Sequence, residues 1–542
     1  MASSVAMHSK AGPTSRSLVT TMVACFLAVC FAQTALVVSS PIQGVIQSTL
    51  HASGTQLTWV SDAFMLPTVV LELTFGVLGD LFGRKRLLVI GSFLMTIGTG
   101  LTALTHSITP LFIGQAISGI GAAAVFPTSL AVIAAATPDA RSRARGLVVW
   151  TMGMSVGASF GPIIGGWLGE GGDYRPPFLF VAIGTLIAGV LCIVLASDSR
   201  APEGRRLDWA GQATIVIALV ALLYAIIQAP NNGWTSGITL GVLAVAVVFL
   251  VLFVVVELRT EKPLLDLHLF KIPAFTGAAL VALIAFCGFL AMVYSVSIRM
   301  AVIQNQSSLR VGIYTLLLNI LPFALLPFFS RALIKFDIRI VLGVGLLALA
   351  AGQFWLSQIP ISDTGLGTLT VPLMLCGYGF VTIIASVSGA AVNSVELHRA
   401  GMASGAINMV RDLGQTLGIA IGGAVALSLA ASNVATQLAA SHLPPQVAGM
   451  AVGINKSAGT IALEHIPFGA PHTPFATVPA AVGTTIHQAA ANALWHGFST
   501  GLVITGILSL VAIACTLALV RNSALIKNAR QDAEAPAEAT AA

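Results

Sequence analysis

Charged residues are scarce in this sequence. Only 8% of its 542 residues are Asp, Glu, Lys or Arg, whereas 56% are apolar. So few charges cannot cover the surface of several soluble domains, which excludes that class of protein. The mean hydropathy of +0.93 instead predicts a helical protein that crosses a membrane many times.

Several signatures of chemistry are missing as well. The sequence has no G-x-x-x-x-G-K-(S/T) phosphate loop and no nucleophile–base set, so we expect neither an ATP-driven step nor an enzyme. Four histidines between residues 433 and 495 are spaced by 23, 7 and 15 residues, which matches no compact metal site. We therefore predict no metal and no cofactor. The cysteines lie in apolar runs and receive no chemical role: Cys25, Cys30, Cys192, Cys287, Cys376 and Cys515.

Long apolar runs predict an all-α membrane protein with 14 transmembrane helices. An even number places both termini on one side of the membrane. The predicted spans are 18–40, 57–79, 87–105, 110–134, 146–168, 177–196, 209–229, 237–258, 274–298, 311–334, 338–357, 369–393, 402–431 and 496–520.

The positive charges predict which side that is. Of 26 Lys and Arg residues, 21 fall in segments on the side of the termini, and one, Arg411, falls inside a helix. Cytoplasmic loops carry the excess of Lys and Arg, so both termini are expected in the cytoplasm. The net positive charge of the chain is then explained without a nucleic acid as a partner. Four cations are assigned to the opposite side: Arg175, Arg299, Arg310 and Lys456.

The densest charge cluster lies in the turn between the second and third spans, in the stretch from Gly76 to Arg86. Its glycines allow two helix ends to approach closely in a tight reversal. The stretch resembles the signature G-x-L-(A/G)-D-x-x-G-(R/K)-(R/K) of the major facilitator superfamily. The resemblance implies a conformational switch formed by Gly76, Gly79, Asp80, Gly83, Arg84 and Lys85.

The fifth span carries a glycine pattern, G-x3-G-x3-G-P-x2-G-G. A stripe of small residues packs closely against another helix, which is the plainer interpretation of any one G-x-x-x-G. The complete pattern resembles the motif that marks exporters within this superfamily. Its residues are Gly153, Gly157, Gly161, Pro162, Gly165 and Gly166.

Two phrases flank the seventh and eighth spans: Leu207-Asp208-Trp209-x-Gly211, and Glu257-x4-Lys262-Pro263-Leu264-Leu265-Asp266. They resemble those around the extra helix pair of the fourteen-span drug/proton antiporter family. Asp208 is expected to start a helix and Trp209 to anchor it at the membrane surface. The implied domains are a cytoplasmic N-terminus (1–17), a six-helix bundle (18–197), a linker (198–208), two inserted helices (209–258), a second six-helix bundle with a long extracellular loop at 433–495 (259–520) and a disordered cytoplasmic tail (521–542).

The chain departs from this family at two positions. The acid expected on the first span is replaced by Ala32, or by Gln33 if the alignment shifts by one, and the arginine expected on the fourth span is Gln115. An unpaired charge inside a membrane costs several kcal/mol. The absence of both the acid and the arginine leaves no such charge, so the two departures fit each other. We therefore predict that proton coupling has moved to Glu72, with Asp412 as second choice. Glu72 could instead be a permanently protonated structural acid.

Neighbouring residues on a helix point about 100° apart, so Arg411 and Asp412 are not expected to face one another. Asp62 stands in the phrase Trp59-Val60-Ser61-Asp62, which is similar to that of the quaternary-ammonium exporters, where the acid contributes to cation recognition. The alternative for Asp62 is an exposed position at the membrane surface. The candidate substrate-binding acids are therefore Asp62, Glu72 and Asp412.

Taken together, the resemblance implies proton-coupled efflux of lipophilic cations, such as quaternary ammonium compounds, dyes and viologens, by alternating access. The expected setting is the plasma (inner) membrane, with small cationic molecules, protons and the lipid bilayer as partners and a monomer as the working unit. An exporter of a native metabolite and a membrane sensor that does not transport remain alternatives.

Overall fold

The computed structural model describes residues 15–137, 140–200, 207–261, 263–318, 336–395, 400–441, 443–465 and 479–520. Within these ranges every regular element is helical. Most of the predicted N-terminal segment 1–17 and the whole predicted tail 521–542 lie outside the described residues.

The first part of the chain forms seven α-helices, of which α2 is short. Pro41 lies in a 3-10 turn that separates α1 from α2. Ser53 begins α3 with a capping box, in which its hydroxyl accepts from the Gln56 N–H and the Gln56 side chain accepts from the Ser53 N–H. The helices are α1 (Ser15–Val37), α2 (Gln43–Leu50), α3 (Gly54–Phe82), α4 (Arg84–Leu104), α5 (Ile108–Ala136), α6 (Ala140–Leu168) and α7 (Arg175–Leu195).

The remaining helices follow the linker. Asp208, Ser236 and Asp337 each cap the first turn of a helix through a side-chain oxygen. The elements are α8 (Trp209–Asn232), α9 (Gly237–Arg259), α10 (Pro273–Ile298), a π-helical turn (Arg299–Ile303), α11 (Ser308–Leu318), α12 (Ile338–Gln358), α13 (Leu366–Asn393), α14 (Ala400–Ala440), α15 (Pro445–Ala458), α16 (Thr460–His465) and α17 (Ala480–Leu519).

Thirteen helices among the described residues are long and apolar enough to cross a membrane. The remaining predicted span, 311–334, begins within α11 and continues into residues 319–335, which lie outside the described part. The predicted all-α, multi-pass membrane fold is confirmed.

The helices pack as two groups. We call α1 and α3–α7 the first half, and α10–α14 with α17 the second half, because contacts are dense within each group. Helix α3 packs against α14 across the seam between the halves, and α8 touches both of these helices as well as α9. We call the end of the molecule that carries the turn at Gly83 the basic end, and the other the distal end. The predicted boundaries at residues 197 and 208 remain predictions.

The segment expected as a long loop, 433–495, is mostly helical in its described part. Helix α14 continues to Ala440 and α17 begins at Ala480, with α15 and α16 between them. These helices bury a small apolar core of their own, which includes Val434, Leu438, Leu463 and Ile486. The segment's many alanines and aliphatic residues favour helix and supply this core, although they are too weakly apolar to predict a span.

Candidate functional site

The residues of the predicted conformational switch lie in and next to the turn between α3 and α4. Gly83 has a φ of +112°, which a residue with a side chain rarely adopts. That reversal lets the Arg84 guanidinium reach back to Asp80, with Nη2 2.8 Å from Oδ1 and Nε 2.9 Å from the same oxygen. Asp80 is 6% exposed, and a Cβ at Gly79 would lie 2.9 Å from Thr128 on α5. The turn therefore contains a partly buried ion pair, and both of its residues belong to the first half.

The other members of the predicted switch contribute less to this contact. Lys85 is half-buried, and a Cβ at Gly76 would meet only Pro127, at 3.8 Å. The role of the turn in switching conformation remains a prediction.

The glycine pattern of α6 makes two kinds of contact. Gly153, Gly157 and Gly161 face α1, and Gly165 faces Val38 and Pro41 just after it, so added Cβ atoms would meet backbone or side-chain atoms there. Gly166 instead faces the Ser308 carbonyl at the start of α11, in the second half. The Pro162 carbonyl likewise contacts α11, at Gly312. The pattern thus packs the first half together and also touches the second half.

Further hydrogen bonds join the two halves at the distal end. The Ser297 hydroxyl donates to the Ser40 carbonyl at 2.5 Å. The Leu309 N–H donates to the Glu170 carboxylate at 3.0 Å, so a first-half acid caps a second-half helix. A cavity of about 140 Å³ remains at this seam, lined in part by Ser48, Glu170 and Gln306. The structure therefore shows the distal ends of the halves in contact.

Asp62 lies inside the protein, so the alternative of an exposed position is wrong. Its side chain is fully buried, and neither carboxylate oxygen has a hydrogen-bond partner among the described residues. One turn earlier on α3, the Thr58 hydroxyl lies 3.0 Å from the Tyr294 hydroxyl of α10. Tyr294 is also a near neighbour of Asp62. Asp62 thus faces the second half near the distal end.

Glu72 and Asp412, predicted as first and second choice for one role, form one cluster. The Glu72 carboxyl group on α3 lies beside the Asp412 carboxyl group on α14, across the seam between the halves. Glu72 is partly exposed and Asp412 is 9% exposed, so the cluster lies mostly inside the protein. The two acids are therefore neighbours in the folded protein, and their part in proton coupling remains a prediction.

The expectation that Arg411 does not face Asp412 is wrong. The Arg411 Nε donates to Asp412 Oδ1 at 2.7 Å, and Gln415 Nε2 donates to the same oxygen at 2.9 Å. Backbone geometry does separate neighbouring side chains, but the long arginine side chain bends around the helix. Its Nη1 donates to the Asn408 side chain at 3.2 Å. The cluster thus contains two acids and one cation.

The two positions that depart from the family are neutral and buried. Ala32 on α1 is fully buried, and Gln115 on α5 is 2% exposed. Within the described part of the chain, Gln115 Nε2 has no hydrogen-bond partner. The first half therefore has no charge at either position.

Two polar contacts were not found from the sequence. Gln212 on α8 donates to the Val70 carbonyl at 2.9 Å and accepts from the Thr74 hydroxyl, so it holds the α3 turn that contains Glu72. Arg299, which is predicted on the side opposite the termini, is fully buried in the π-helical turn. Its guanidinium lies 4.2 Å from the Trp495 ring and donates to the Ile359 carbonyl at 2.9 Å. A polar residue inside an apolar run was the available signal for Gln212.

No group of three or more His, Cys, Asp or Glu side chains that could hold a metal occurs among the described residues. His465 contacts Glu464 at 2.5 Å. His442 and His472 lie outside the described residues.

The fold and this site define a multi-pass helical membrane protein whose two halves meet around buried acids. The sequence matches the family model described as Major Facilitator Superfamily over residues 24–419, and the chain belongs to that superfamily. It is therefore a transporter rather than an enzyme.

Two curated relatives extend this match. The chain is 33% identical to "Multidrug resistance protein Stp" of Mycobacterium tuberculosis (strain CDC 1551 / Oshkosh) over 389 residues, or 70% of each chain. It is 25% identical to the "Tetracenomycin C resistance and export protein" of Streptomyces glaucescens, over 91% of this chain and 88% of the relative.

Among solved structures, the chain resembles a bacterial homolog to the human lysosomal transporter Spinster, with a TM-score of 0.60 and 14% identity over 93% of this chain and 98% of that one. At that identity the similarity shows the fold alone.

Proposed function

We propose that this protein exports lipophilic cationic toxic compounds in exchange for protons, and that it belongs to the fourteen-span drug/proton antiporter branch of its superfamily. The observation that carries the proposal is the close approach of the Glu72 and Asp412 carboxyl groups across the seam between the halves. An antiporter needs a site where a proton and a substrate cation exclude each other. That site must contact both halves, so that the exchange changes the interaction between them.

The charges of this cluster support exchange. With one shared proton, Glu72, Asp412 and Arg411 together carry one negative and one positive charge. Loss of the proton leaves two negative charges against one positive charge in a mostly buried place, which is unfavourable. A monovalent cation nearby would restore the balance. Binding of the cation thus favours release of the proton, and the return of the proton favours release of the cation.

Asp62 is proposed to recognise the cation. It is buried, its oxygens have no partner among the described residues, and it faces α10 of the second half. An uncompensated carboxylate in a low-dielectric interior attracts a cation much more strongly than it would in water. Helical geometry places Asp62 about 15 Å from Glu72 along α3, so a bulky cation could lie between them.

The relatives support export of drugs. One is named a multidrug resistance protein and another a resistance and export protein. The distribution of Lys and Arg supports a plasma (inner) membrane location with the basic end and both termini in the cytoplasm. We propose that a monomer is the working unit, since each chain carries both halves of the site.

The test is transport by the purified protein in lipid vesicles. With a fluorescent lipophilic cation inside, an imposed proton gradient should drive its movement, and an uncharged dye of similar size should not respond. The variant Glu261→Gln, which changes an exposed carboxylate far from the cluster along the chain, should behave as the unchanged protein. Cation movement that is equally fast without a proton gradient would contradict the proposal.

A further inference from the structure

The basic ends of α8 and α9 bring together the two phrases that flank the inserted helix pair. Asp208 Oδ1 accepts from the Gly211 N–H at 2.7 Å and so caps α8. Glu257, near the end of α9, accepts with Oε2 from the Leu265 N–H at 3.1 Å. Each acid therefore uses one oxygen to hold local backbone, and each has one oxygen left.

The two remaining oxygens face the same gap. Asp208 Oδ2 and Glu257 Oε1 are both buried and have no hydrogen-bond partner among the described residues. Glu257 as a whole is only 3% exposed. A Cβ on Gly211 would lie 2.5 Å from the first oxygen and 2.6 Å from the second, so the two lie no more than about 5 Å apart. Gly211 is thus the residue that leaves room for the pair.

Two ionised carboxylates this close and this buried would repel each other and lack solvation. One proton removes the repulsion, and when the two side chains close to hydrogen-bonding distance the protonated acid can donate its O–H to the free oxygen of the other. A metal ion would need more ligands than two oxygens. In the described part of the chain no third His, Cys, Asp or Glu side chain joins the pair to form a metal-binding group.

The charged groups on the elements packed around the pair have other contacts or are exposed. On α3, Asp80 pairs with Arg84, and Glu72 lies beside Asp412, which pairs with Arg411 on α14. Beyond α9, Asp266 contacts His268 at 3.1 Å. The exposed residues are Arg259, Glu261 and Lys271.

We propose that Asp208 and Glu257 share one proton, and that this second protonation site fastens the basic ends of the inserted helices to each other. The site is separate from Glu72 and Asp412 and does not depend on the transport reaction. When the proton leaves, two negative charges face each other and the fastening loosens. Because Gln212 follows Gly211 and holds α3, the loosening would reach the turn that carries Glu72.

The test measures thermal unfolding of the purified full-length protein in detergent from acidic to alkaline pH. The folded pair holds a proton that the unfolded chain releases, so its contribution to stability should fall as pH rises. Glu257→Gln resembles the protonated acid, and its amide can donate to Asp208. At acidic pH its midpoint temperature of unfolding should equal that of the unchanged protein. When the pH is raised to alkaline values, its midpoint should fall by a few degrees less than that of the unchanged protein. Asp208→Asn should do the same, and Glu261→Gln is the matched control.

Two outcomes would overturn the proposal. If both variants lose as much stability on raising pH as the unchanged protein, no proton is shared. If sodium, potassium or calcium ions raise the midpoint of the unchanged protein at fixed pH, but not that of Glu257→Gln, the gap holds a cation. If Glu257→Gln does not fold, Asp208→Asn alone decides by the same criterion. The assay needs no substrate, so its result is separate from that of the transport test.

Discussion

Helix α3 takes part in two charged networks that differ in their balance. At the basic end, Asp80 meets Arg84 within one turn of one half, as one negative and one positive charge. Midway along the helix, Glu72 meets Asp412 and Arg411 across the seam, as two acids and one cation. The Asp80–Arg84 pair by itself is neutral with both groups ionised, whereas the cluster of Glu72, Asp412 and Arg411 is neutral only when it holds a proton.

This difference assigns different work to the two networks. A pair with one charge of each sign suits a contact that must be made and broken without chemistry. An unbalanced cluster changes charge when a proton or a cation arrives, so it suits coupling. Five substitutions test this division of roles.

The largest effect is expected from Glu72→Gln. The amide can hydrogen-bond Asp412 but cannot give up a proton, so proton-driven exchange should fall to the background of empty vesicles while substrate binding persists. Proton release on adding substrate, measured with a pH dye, should vanish. Retained pH-driven exchange would refute the assignment, and loss only in Asp412→Asn would move the role to α14.

Asp80→Ala should slow transport without weakening binding. It leaves Arg84 unpaired in a partly exposed turn, at a cost of about 1–2 kcal/mol, which corresponds to roughly tenfold in a conformational equilibrium. Turnover should drop by about that factor while the substrate Kd stays unchanged. Arg86→Gln removes an exposed cation from the same turn and serves as the control. An intact turnover with a weakened Kd would reverse the assigned roles.

Asp62→Asn should weaken recognition of dications more than of monocations. Coulomb energy doubles with the ligand's charge, so a loss of about threefold in affinity for a monocation becomes about tenfold for a dication. The measurement is the growth protection of cells that express equal amounts of the variant and of the unchanged protein. The loss of protection against dications is compared with the loss against monocations. Equal protection against dications would rule out the role of Asp62.

Gln212→Leu removes two hydrogen bonds between α8 and α3. Such bonds contribute about 0.6 kcal/mol each inside membranes, so the transport rate should fall by roughly two- to fivefold, with a shifted pH profile. Thr214→Val is a matched control, because Thr214 on the same helix bonds only its own backbone, at Ala210 and Gly211. A loss of protein stability with an unshifted pH profile would leave Gln212 a packing residue only.

The smallest effect is expected at His465. Burial acts to lower the pKa of His465, but the Glu464 carboxylate and the carbonyl oxygens of Ile461 and Val302 outweigh it, so the pKa is raised. The stabilisation is complete below the ordinary pKa near 6.5 and is lost as pH rises through the raised value. His465→Gln should therefore lower the unfolding free energy by about 1 kcal/mol at acidic pH and change little at alkaline pH. A deficit independent of pH would contradict this.

The fold could be predicted because a membrane span requires a long apolar run, and such runs are visible in the sequence. The helical segment around α15 and α16 could not, since its residues are too weakly apolar to mark a span and its many prolines and glycines are typical of a loop, although Pro445 begins α15 and Gly459 ends it. Asp80 and Arg84 are four residues apart, so their ion pair follows from local geometry.

The Glu72–Asp412 contact joins residues 340 positions apart, and nothing local connects them. The sequence offered the two acids as alternatives, whereas the tertiary structure makes them partners. Arg411 shows a second reason for failure, because the direction of a Cβ does not determine where a long, flexible side chain ends.

The contact of Gly166 with Ser308 has a consequence for the balance between conformations. At this contact the Ser308 backbone of the second half lies directly against Gly166, which has no side chain. A methyl group added to Gly166 would collide with the Ser308 carbonyl. The cost would fall only on states in which the distal ends touch. A single carbon atom at this position would thus shift the population toward states in which the halves have separated, without altering any charge or any residue that meets substrate.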